Sequence, residues 1–75
     1  FNPSTRISWQ SPVGSWQSLK VYDVLGNEVS TLVNEYKPAG SYEIIWDATG
    51  FSSGIYFYRI TIGSFIETKK MILLR

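Results

Sequence analysis

The sequence contains neither cysteine nor histidine. No disulfide can restrict the unfolded chain, and the side chains from which small domains usually build a zinc staple are missing. The same absence removes the ordinary catalytic triad, so the serines read as turn and exposed-strand residues, not as activated nucleophiles. Seven basic and six acidic side chains leave a net charge of only +1, too weak a field to draw in nucleic acid or an anionic membrane over distance. No apolar run exceeds the four residues of Met71–Leu74, far short of the roughly 20 that a membrane-spanning helix needs. These absences argue against an enzyme, a cofactor, a nucleic-acid partner, a small-molecule substrate and direct membrane insertion.

What the chain does have is aromatic area. Three tryptophans, five tyrosines and four phenylalanines stand among 75 residues, each able to contribute roughly 2 to 3 kcal/mol if enclosed. That supply matters because so short a chain forms one domain and buries only about 60 to 65% of its unfolded surface. Packing alone has to hold residues 1–75 together. Lack of cysteine fits either a cytosolic or an exported protein, and Phe1 in place of an initiator methionine makes a piece of something longer the expectation, with any export peptide upstream.

Strand signals recur between closely spaced turn residues, the pattern of an antiparallel sandwich or barrel. Arg6–Gln10 alternates, and Ser11–Ser15 breaks it with Pro12 and Gly14. A second strand spans Trp16–Leu25 with Leu19 and Val21 facing inward, and Gly26-Asn27 predicts a tight hairpin into Glu28–Val33. After a break at Asn34–Gly40, Tyr42, Ile44 and Trp46 alternate with polar neighbours. Asp47–Gly54 reads as a loop, and Ile55–Ile62, apolar on both faces, as a central strand. Gly63-Ser64 then turns the chain into a last strand, Phe65–Leu74. The expected fold is all-β: a small antiparallel Ig-like β-sandwich of six to seven strands, with a small open barrel as the alternative.

Candidate sites are few. Asp23 and Asp47 carry oxygen ligands suited to calcium, but each follows an aromatic residue at a strand end, where a short carboxylate caps turn amides. No metal is expected. Trp9 and Trp46 share strand faces with aliphatic residues and read as core, which leaves Trp16 as the exposed candidate for sugar stacking. Lys69 and Lys70 admit two readings, protection of an edge strand or, with the apolar residues after them, a surface for docking. The group Met71–Leu74 is too hydrophobic for a loose tail.

Set in order, these motifs resemble a known family. Phe1-Asn2-Pro3-Ser4-Thr5 opens the chain, Leu19 to Gly26 and Val29 to Val33 follow, and then come Ala39-Gly40-Ser41-Tyr42 and Trp46-Asp47. Ser53 to Arg59, Gly63 and Lys69-Lys70-Met71-Ile72-Leu73-Leu74 complete the set. The chain resembles the type A C-terminal sorting domain of type IX secretion cargo from Gram-negative bacteria, over nearly all its length. Ser11 and Gln17 depart from the family pattern, which favours leucine before Pro12 and a small aliphatic residue at the second place.

The resemblance implies a folded address recognised by the type IX outer-membrane translocon. It also implies passage through the periplasm, removal by a sortase-like peptidase, and a cargo released or held at the cell surface. Gly26, Gly40, Tyr42, Trp46, Gly54, Tyr56 and Tyr58 would be its structural signature, with Tyr42, Trp46, Tyr56, Tyr58 and Ile60 as core. Lys69, Lys70, Met71, Ile72, Leu73 and Leu74 would contact the translocon. Thin stability and an apolar terminal ladder also allow weak self-association. The alternative is a structural or carbohydrate-binding sandwich module of a secreted enzyme.

Overall fold

The computed structural model describes residues 1–74; Arg75, which closes the terminal run, lies outside the described residues. Six strands follow one another without a helix: β1 (Ser4–Ser11), β2 (Ser15–Asp23), β3 (Glu28–Lys37), β4 (Gly40–Asp47), β5 (Gly54–Ile62) and β6 (Phe65–Leu73). They form two antiparallel sheets, a two-stranded one of β1 and β4 and a four-stranded one in the order β3-β2-β5-β6. The sandwich expected from the sequence is the fold observed. As its two-sided apolar pattern requires, β5 is central, flanked by β2 and β6.

The core lies between the sheets and follows strand parity. Leu19 and Val21 of β2 and Leu73 of β6 are wholly buried, and Ile60 and Ile62 of β5 and Met71 of β6 are buried beside them. Enclosing each contributes about 1.5 to 3 kcal/mol, so this one layer supplies much of the drive to fold. Trp46 is the largest fully enclosed side chain. Its ring centroid lies 5.8 Å from that of Phe1 and 5.5 Å from those of Phe51 and Tyr56, distances at which tilted aromatic pairs attract. The Tyr56 hydroxyl donates to the Ser52 carbonyl at 2.7 Å, so its polar tip is satisfied where the ring is buried.

Several expectations are corrected. β2 ends at Asp23, not Leu25, and the turn to β3 holds four residues, Val24–Asn27, in place of a two-residue Gly-Asn hairpin. The Asp23 carboxylate explains this: it accepts from the Leu25 and Asn27 amides at 3.0 and 2.9 Å and so stabilises the wider turn. Gly26, at φ +88°, takes the left-handed position there that a side chain would strain. β3 runs on to Lys37 through residues expected to be a break, because Asn34, Glu35 and Tyr36 pair with β2 as an exposed edge. Tyr42, expected in the core, is half-buried: it stacks on Trp9 at 5.7 Å, carries Lys37 Nζ 4.8 Å over its ring and donates to the Pro38 carbonyl. Trp9 and Tyr58 are likewise half-buried and pack against the core from its margin. Gly40 and Gly54, at φ +157° and +150°, open β4 and β5 in a backbone conformation that side-chain-bearing residues rarely adopt, as expected of signature glycines.

Gln17 was the unexpected core residue. It is fully buried, and its Oε1 accepts from Trp9 Nε1 at 2.9 Å. This bond makes an amide tolerable in place of an aliphatic side chain, although Nε2 finds no protein partner.

Candidate recognition surface

The terminal run divides by parity. Met71 and Leu73 point inward and are buried, and Glu67 and Lys69 share their face by strand parity but are exposed. Lys70, Ile72 and Leu74 point the opposite way, onto the outer face of the four-stranded sheet, and all are exposed. The six residues of the expected contact, five in β6 and Leu74 directly after it, are thus one run but not one surface. Adjacent lysines in a strand always separate in this way, so the signal was present in the sequence.

The outward set does not stand alone. Across the β5–β6 ladder Ile72 faces Ile55, Lys70 faces Phe57 and Thr68 faces Arg59. On the other side of β5, Phe57 faces Tyr22 and Arg59 faces Lys20. Arg59 is fixed in this array: its Nε lies 3.3 Å from Thr68 Oγ1 and its guanidinium sits 5.1 Å over the Tyr22 ring. Lys20 is paired with Glu28 at 3.4 Å, whereas among the described residues no carboxylate pairs with Lys70. A shallow hollow of about 220 Å³ opens between Tyr22, Phe57, Arg59, Thr68 and the β2–β3 turn. Beside it Val24 and Leu25 of that turn are exposed. The result is an apolar face studded with cations that no third layer covers.

Two devices hold this face in place. Phe1 clasps the end of β6: its backbone nitrogen donates to the Ile72 carbonyl and the Leu74 amide donates to its carbonyl, both at 2.9 Å. One residue thus bridges the free edge of β6 in the parallel sense while its ring packs on Trp46. Asp23 holds the neighbouring turn, and the hydrogen bonds it receives, first from the Asn27 amide, keep its carboxyl below the usual range. Asp47 behaves similarly at the end of β4, held down first by the Thr49 hydroxyl and then by the Thr49 amide. Both carboxylates are engaged in capping turns. Among the described residues no group of three carboxylate, histidine or cysteine side chains gathers as metal ligands would.

A family profile described as secretion system C-terminal sorting domain matches residues 2–74. The chain belongs to this type IX secretion family. No curated protein and no solved structure matches the chain significantly. The sorting domain therefore acts as a C-terminal sorting signal that interacts with the type IX translocon, and its protein is destined for secretion or the cell surface.

Trp16, the expected exposed aromatic, is 59% exposed, its indole N–H held 2.9 Å from Asn34 Oδ1. Sequence reasoning missed the Phe1 clasp and the contributions of Ile55, Phe57 and Arg59 to the outer face. Only the pairing register brings them beside the terminal run.

Proposed function

We propose that the translocon reads the sorting domain as a folded body, through the outer face of the β5–β6 hairpin. The observation that carries this reading is the split of the terminal run. Met71 and Leu73 are consumed by the core, so they fix the strand, while Lys70, Ile72 and Leu74 are set beside Ile55 and Phe57 on an uncovered sheet. A receptor meeting folded cargo has to bind a surface that the fold itself displays, and apolar anchors near a cation supply both contact area and orientation. Residues 1–75 act as one detachable unit at the end of a larger secreted protein in a Gram-negative bacterium. The cargo reaches the translocon from the periplasm. A sortase-like peptidase then removes the domain, and the cargo is anchored or released. Lys69, Met71 and Leu73 serve recognition indirectly, by building the strand.

The test is a fluorescent passenger joined to an inner-membrane export signal and followed by this chain, expressed in a host with the translocon. The account expects passenger outside the cells, dependent on the translocon. Retention inside the envelope contradicts it. The rival reading, a glycan-binding module, draws on exposed Trp16 opposite exposed Tyr36; glycan-array binding abolished by Trp16→Ala, with no export, supports that reading instead.

A further inference from the structure

We propose that β6 pairs with β6 of a second copy, forming a two-fold antiparallel dimer centred on Thr68. The inference stands on the strand's free edge and does not depend on which face the translocon reads. β6 is an edge strand, paired only with β5. Phe65 and Ile62 flank the two-residue turn Gly63-Ser64, so they form a hydrogen-bonded pair, and the alternation of an antiparallel ladder then leaves every even-numbered residue of β6 facing outward. The Phe1 bridge agrees, since it engages Ile72 and Leu74. Phe1 thereby closes one end of the edge and the turn closes the other. Between them the amides and carbonyls of Ile66, Thr68 and Lys70 have no strand to pair with among the described residues.

The midpoint of that open stretch is Thr68. A two-fold axis there places Glu67 of one copy opposite Lys69 of the other, twice, as a non-hydrogen-bonded pair in which side chains approach most closely. The same register places Ile66 opposite Lys70, so like charges never meet. Within one chain Lys69 Nζ already lies 3.9 Å from Glu67 Oε1; pairing converts two such contacts into a ring of four alternating charges. The opposite edge of the sheet lacks this property. β3 is interrupted by two register shifts against β2, irregularities that twist an edge away from pairing. Only Val33–Lys37 of β3 runs without such a shift, and it ends at Pro38, which has no amide to donate to a ladder. Lysines usually defend an edge; here Glu67 turns the defence into a register code, since only one alignment satisfies it.

Sedimentation equilibrium of the 75-residue chain tests this. The expected result is a monomer–dimer equilibrium with Kd on the order of 0.1 to 1 mM, as suits a small interface, weakened by salt. Lys69→Glu and Glu67→Lys each place like charges across the axis and raise Kd by about tenfold or more. An equimolar mixture of the two single variants forms a heterodimer, and the double variant E67K/K69E dimerises like the parent. Absence of dimer at about 2 mM overturns the proposal, as does unchanged dimerisation of Lys69→Glu or failure of both the mixture and the charge swap to restore pairing.

Discussion

The two halves of β6 are built to different ends. From Met71 to Leu73 the strand is anchored on three sides: two side chains are buried, β5 pairs along one edge and Phe1 bridges the other. From Phe65 to Lys70 every residue is exposed and the outer edge is open. One strand therefore contains both a structural anchor and a display surface, and the first makes the second readable. A recognition strand that frayed would pay its ordering entropy at each encounter; pinning its end removes that cost in advance.

The largest effect should come from the anchored half. Leu73→Ala removes a fully buried side chain and should cost about 2 to 5 kcal/mol, much of the margin expected of so small a domain. Urea denaturation reads the loss, and export should fail because the fold fails. Second comes the outward pair: Ile72→Glu with Leu74→Glu should change stability by less than about 1 kcal/mol yet lower passenger export at least tenfold. A large stability loss in that variant would erase the distinction between the buried anchors and the outward residues that alternate with them. Third, Lys70→Glu should reduce export by a smaller factor while Lys69→Glu leaves it near the parent level, because the two lysines occupy opposite faces. Equal effects of both would mean that charge near the terminus matters and the face does not.

The smallest effect belongs to the turns that support the display. Asp23, Glu28 and Asp47 all have carboxyls below their usual range, through hydrogen bonds from Asn27, Thr31 and Thr49 respectively. Lowered folded-state values mean that their stabilisation is complete above the unfolded value near 4 and is lost as pH falls through the folded values below it. Thermal melts should show a shallow decline beginning near pH 4, and Asp23→Asn should flatten part of it.

Much of the fold was legible in the chain. Two-residue alternation identified Leu19 and Val21 as inward, and the apolar pattern of Ile55–Ile62 marked a central strand. What escaped was decided by partners distant in sequence. The widened turn after Asp23 needed its carboxylate bonds, and Asn34–Lys37 looked like loop because an exposed edge strand has little apolar pattern to show. Gln17 as core required knowing that the Trp9 indole would reach it. Phe1 carries no local sign that it will bridge β6. For the surface, the residues of the terminal run were visible but their company was not: Ile55, Phe57 and Arg59 join them only through the register.

The central claim is that the address is a face of the folded hairpin. Its most direct measurement is the quantity of passenger outside the cell for the Ile72→Glu, Leu74→Glu variant beside the parent, with circular dichroism and melting showing both domains folded. The account predicts a folded domain whose passenger stays inside. Secretion at the parent level from that folded variant would contradict it.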